Sequence, residues 1–131
     1  PGGFARSEIE CAEYWVAGYF AFLRSLGYPT LIECFSRAHR NVGSCCHSWS
    51  GAPAIFFNTV TLGIQQVEAG NPRRFHIEPR SKKLQKVSGE YPVPGGALKV
   101  SWERVGNRYQ LQVDAPEGID LSFAENVDRI T

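Results

Sequence analysis

The apolar residues of this chain change their period once, near residue 70, and that change limits the fold more than any other feature. Before it, Ile9, Ala12, Trp15, Val16, Tyr19, Phe20, Leu23 and Leu26 recur at helical spacing. After it, Phe75 and Ile77, Leu98, Val100 and Trp102, Tyr109, Leu111 and Val113, and Ile119, Leu121 and Phe123 alternate with polar neighbours. That two-residue period belongs to strands with one face buried and one wet. Helices first and strands second predict an α+β fold: a short N-terminal helical segment over 1–66, then an antiparallel β-sandwich over 67–131.

Local signals set the expected boundaries. Ser7 and Glu10 fit a capping box, and Gly27 with Pro29 supplies a stop, so a helix is predicted over 8–26. Residues 30–49 read as an irregular connection. A second helix is predicted from Gly51 to Leu62, with Ser50 as cap, Pro53 in the first turn and Gly63 just past the end. Both helices are apolar on more than one side: Ala17, Ala21 and Phe22 widen the first, and Ala54, Ile55, Phe56, Phe57, Val60 and Leu62 surround the second. Two such helices cannot cover each other, which predicts packing against helices outside this chain or against another copy of it. In the strand half, Gly106-Asn107 marks a two-residue hairpin turn, and 114–118 (DAPEG) marks another turn.

Composition narrows the function classes. At 131 residues with net charge +1, 21% charged and 43% hydrophobic, the chain has the balance of one globular domain. It carries no basic excess to call for nucleic acid, and no apolar run approaching the ~18 residues of a membrane span. It begins at Pro1 and contains no Met, which reads as a piece of something longer or a processed product. The cysteines do not form a disulfide framework: Cys11 lies in a predicted helix, and Cys45 and Cys46 are adjacent. No C-x-x-C or H-x₃-H spacing offers a zinc site, and no cofactor motif is present. Adjacent Cys46 and His47 also fit a catalytic pair poorly, because such pairs meet in space rather than in sequence. The cysteines are expected to be buried, reduced apolar side chains. Unpaired cysteines and the lack of a visible signal peptide lean toward the cytoplasm.

Three stretches then carry a resemblance: 45–64 (CCHSWSGAPAIFFNTVTLGI), 77–104 (IEPRSKKLQKVSGEYPVPGGALKVSWER) and 108–123 (RYQLQVDAPEGIDLSF). In order and spacing they resemble the C-terminal end of bacterial α-L-rhamnosidases, glycoside hydrolase family 78. There a histidine–small–tryptophan stretch leads into the last helix of an (α/α)₆ barrel, and a β-sandwich with an I-x-P strand follows. The matching parts are Ile77 to Pro79, Val93 to Trp102 and Val113 to Gly118.

The resemblance implies that 1–66 is the end of an α/α toroid, and that the substrate is a terminal rhamnoside cleaved with inversion. It implies Glu33, in Thr30-Leu31-Ile32-Glu33, as the catalytic base, and His47 and Trp49 as substrate-binding residues. Ser48 stands where the family often has Gly. The Glu33–His47 loop holds only thirteen intervening residues, and it lacks the family's usual aspartate and glycine content.

Inverting hydrolysis needs two carboxyl groups about 6.5–9.5 Å apart, one acid and one base. A base must be ionised, a histidine can bond sugar hydroxyls, and an indole face suits the C–H side of a pyranose. The family's general acid lies upstream of anything matching this chain, so the chain alone is expected not to hydrolyse rhamnosides. The contrasting reading is a stand-alone carbohydrate-binding or structural β-sandwich, with Tyr91, Trp102 and Tyr109 as an exposed aromatic row. Trp15 and Trp102 are expected to be packing residues, Trp49 rather core than platform, His39 and His76 surface residues, and the Arg73-Arg74, Arg80, Lys82-Lys83 cluster a solvated face.

Overall fold

The computed structural model describes residues 6–33, 44 and 46–130; the side chains of Arg6, Ser7, Glu8 and Trp49 lie outside that description. The chain divides into two compact units, Pro1–Phe56 and Phe57–Thr131. The α+β expectation holds: a helical part precedes two sheets.

In the first unit, α1 spans Arg6–Ser25. It starts before Ser7, so the expected cap sits inside the first turn. The predicted stop holds. Gly27 adopts φ 71°, with Tyr28 N–H donating to Leu23 C=O and Gly27 N–H to Arg24 C=O, both at 3.1 Å. That crossed pair closes a helix end through a left-handed glycine. Ile9 and Leu23 are the buried apolar residues of α1.

The predicted second helix, Gly51 to Leu62, is instead three short pieces. A 3₁₀ turn covers Ser48–Gly51, α2 covers Ala52–Phe56, and a π turn covers Phe57–Thr61, where Leu62 N–H donates to Phe57 C=O at 2.8 Å. The final carbonyls of a helix have no partner inside it. Here Val60 C=O accepts from Arg80 N–H at 3.0 Å, and Thr61 C=O accepts from the Trp102 indole at 2.9 Å. Donors far along the chain therefore take the carbonyls that a regular helix end would leave open.

The second unit is the sandwich. One sheet has the order β1 (Ile64–Gln66), β2 (Arg74–Ile77), β6 (Asp120–Phe123). The other has β3 (Lys86–Val93), β4 (Gly96–Val105), β5 (Arg108–Asp114) and β7 (Val127–Arg129). The β4–β5 hairpin closes Val105 onto Arg108 as predicted. Gly106 takes φ 63° and no non-glycine is positive among the described residues, which is the type II′ pattern. The antiparallel expectation needs amendment at two pairings, because β2–β6 and β5–β7 run parallel. After β5 the chain leaves its sheet to lie beside β2, then crosses back through 124–126 to pair with β5.

The inward positions are those the period marked. Leu98, Val100, Trp102, Tyr109, Leu111, Phe75 and Ile77 form the core with Leu62 and Ile64. Each such side chain, fully buried, contributes about 1.5–3 kcal/mol. The two largest are also bonded, since Trp102 and Tyr109 meet edge-on at 5.1 Å and Tyr109 Oη donates to Ser81 C=O at 2.8 Å.

On the sandwich surface, Arg80 donates through Nε and a terminal nitrogen to Glu78 Oε2, and Gln65 Nε2 reaches the same oxygen at 3.2 Å. Partial burial by itself would raise the Glu78 carboxyl. Bonding and charge from Arg80, with smaller help from Gln65 and His76, outweigh it and hold the carboxyl below its ordinary 4.5. A carboxylate depressed on folding adds stability that is fully present above the unfolded value and is lost as pH falls through the folded one. Urea midpoints of the chain should therefore drop as pH falls below the carboxyl's ordinary 4.5, and Glu78→Gln should shrink that drop. An unchanged acid limb in the variant would remove Glu78 from the account.

Candidate functional site

The segments 31–33 and 44–47 lie side by side in the first unit. His47 N–H donates to Leu31 C=O at 2.8 Å, and Glu33 N–H to Ser44 C=O at 3.0 Å. Ser50 Oγ, buried, adds a bond to Ile32 C=O at 2.6 Å. This short ladder places Glu33 and His47 together: His47 Nδ1 stands 3.6 Å from Glu33 Oε2. The same oxygen accepts the Ser44 N–H at 2.7 Å. Ser44 Oγ in turn donates to Cys46 C=O at 2.7 Å and accepts from Cys46 N–H at 3.1 Å. The pair is half-buried, with the His47 side chain 25% and that of Glu33 38% exposed. A carboxylate in such a setting keeps contact with water while its orientation is held, as a proton acceptor requires.

Glu33 and Ser50 also help to line an open groove of about 700 Å³ whose other walls include Tyr14, Trp15, Tyr19 and Phe22. Trp15, expected to pack, is 69% exposed, and Tyr14 beside it is 70% exposed. The signal for this was in the sequence. Tyr14-Trp15-Val16 spans about 200° of a helix, too wide for one ~100° buried stripe. Trp49 has its backbone in the 3₁₀ turn after His47; its side chain, on which the substrate-binding expectation rests, lies outside the described residues. The cysteine expectation is corrected where it can be read: Cys11 and Cys46 are exposed. Cys34, Cys45 and His39 fall outside the described residues.

The aromatic row of the alternative reading does not exist. Tyr109 is 0% and Trp102 2% exposed, while Tyr91 is half-buried and packs edge-on against Phe75 at 5.7 Å. All three alternate onto the inward face of their strands, so none offers a ring to a sugar. His76 is only partly exposed and shares a 2.9 Å hydrogen bond with Ser122.

Against this geometry the comparison with known families is specific. Residues 63–123 match the bacterial alpha-L-rhamnosidase C-terminal domain. Over that stretch the chain is similar to a rhamnosidase C-terminal domain. The match runs from the close turn at Gly63, just before β1, to the end of β6, so it takes in the first sheet and β3 to β5 of the second, and stops before β7. Glu33, His47 and Trp49 precede the matched stretch. No curated protein and no solved structure matches the chain.

Proposed function

We propose that this chain supplies the closing part of an inverting α-L-rhamnosidase of glycoside hydrolase family 78, with Glu33 as general base and the general acid outside the chain. The observation that carries the reading is the meeting of Glu33 and His47. They are separated by thirteen residues in sequence, yet their side chains stand 3.6 Å apart with Glu33 on a groove walled by exposed aromatics. In this reading an anomeric carbon sits over the groove. Glu33 takes a proton from a water attacking the face opposite the leaving group, and a carboxylic acid about 6.5–9.5 Å away protonates the departing oxygen. His47 bonds a sugar hydroxyl, and Trp49 presents a ring to the sugar's C–H face.

The remaining wall of the groove belongs, on this proposal, to upstream barrel helices. Tyr14, Trp15 and Ile55 are large, apolar and exposed in the first unit, as faces awaiting neighbouring helices are. The test is an assay of the isolated chain with an aryl rhamnoside. Turnover should stay at background, since one carboxylate cannot serve as acid and base on opposite sides of the bond. Hydrolysis well above background would overturn the division of the acid and base between this chain and the rest of a barrel.

A further inference from the structure

We propose that Ser44 is the positioning residue of the Glu33–His47 pair, a role that rests on the proposed use of Glu33 as base. Two separate features of Ser44 converge on that pair. Its backbone N–H donates to Glu33 Oε2 at 2.7 Å while its C=O accepts the Glu33 N–H at 3.0 Å, so residue 44 grips residue 33 from both ends. Its hydroxyl engages both backbone polar groups of Cys46, at 2.7 and 3.1 Å. That fixes the backbone one residue before His47, whose own N–H is tied to Leu31. The result brings His47 Nδ1 to the carboxylate oxygen that Ser44 already holds.

The division of labour between the two carboxylate oxygens follows. Oε2 accepts the Ser44 N–H and stands 3.6 Å from His47 Nδ1, and among the described residues no donor reaches Oε1. Oε1 is then the oxygen that receives the proton of the attacking water, and Oε2 keeps the carboxylate from rotating. The Ser44 hydroxyl acts one step removed, through the loop backbone, and touches no substrate.

The test uses the full 131-residue chain, labelled with nitrogen-15 and titrated by NMR. The Ser44 amide should shift downfield as Glu33 ionises, and Glu33→Gln should abolish that titration. Ser44→Ala keeps the N–H but deletes the hydroxyl. It should remove the response of the His47 ring signals to Glu33 ionisation, and Ser44→Thr, which restores a hydroxyl, should bring the response back. Unchanged amide signals from α1 would show that each variant remains folded. A Ser44 amide indifferent to Glu33, or a His47 response that survives Ser44→Ala, would overturn the proposal. The positioning role and the base reading fail separately. If the coupling is present but Glu33→Gln leaves full turnover in a barrel-bearing polypeptide, the base reading falls and the positioning stands. Lost turnover without the coupling gives the reverse.

Discussion

Gly63→Ala should cost the sandwich at least about 4 kcal/mol, a large share of the 5–15 kcal/mol that holds a typical domain together. Two effects add at this position. The backbone sits at φ 81°, where an L side chain costs about 1–2 kcal/mol. A Cβ there would also lie 2.3 Å from Pro79 N and 2.4 Å from the Glu78 carbonyl carbon. Those are main-chain atoms and cannot rotate away. They are held because Glu78 N–H donates to Gly63 C=O at 2.8 Å, between the buried Leu62 and Ile64 on one side and Ile77 and Pro79 on the other. Gly70 provides the control, since it has the same φ of 81° with nothing within 4 Å of a built Cβ. Gly70→Ala should show only the backbone penalty, about 1–2 kcal/mol. Urea midpoints of the two variants separate the contributions. Equal losses would mean that the close approach of 63 to 78–79 does not exist in solution.

Glu33→Gln, made in a polypeptide that includes the upstream barrel, should lower kcat by about 10²- to 10⁴-fold, the usual contribution of a positioned acid–base group. Glutamine keeps the shape of glutamate, and its amide oxygen can still accept the Ser44 N–H that now bonds Glu33. Folding and substrate binding should therefore persist, with KM little changed. What disappears is the capacity to take a proton from water. Azide needs no deprotonation to act as a nucleophile, so it should restore turnover in the variant and release a glycosyl azide of inverted configuration. Full activity in the variant, or a loss that azide does not repair, would remove Glu33 from the role of base.

The site was only partly legible in the chain. The family resemblance of the 45–64 stretch points to His47 within it and Glu33 upstream of it, but no local pattern states that residues 31–33 and 44–47 pair. That contact depends on Leu31 and Ser44 carbonyls being free to accept at the same time. Ser44 left no sequence signal at all, because its part in the site is played chiefly by a backbone N–H. The helical spacing of Trp15 predicts a packing residue, yet within this chain it is exposed. The crowding of Tyr14, Trp15 and Val16 on one turn argued otherwise.

Short-range physics wrote the rest into the sequence. Alternation of residues 98–102 and 109–113 names the buried face of each strand, since successive side chains leave a strand on opposite sides. Gly27 and Gly106 end a helix and close a hairpin because both points need a positive φ. These outcomes involve only neighbours along the chain. Which strands lie beside one another is a different matter: the parallel β2–β6 and β5–β7 pairings join segments that no turn connects directly. The fate of 51–62 belongs to the same class. Its apolar residues favour helix, and the Thr61 carbonyl at its end accepts from a tryptophan forty-one positions further on. Local periodicity determines what each segment can become; the donors and surfaces it meets after folding decide what it becomes.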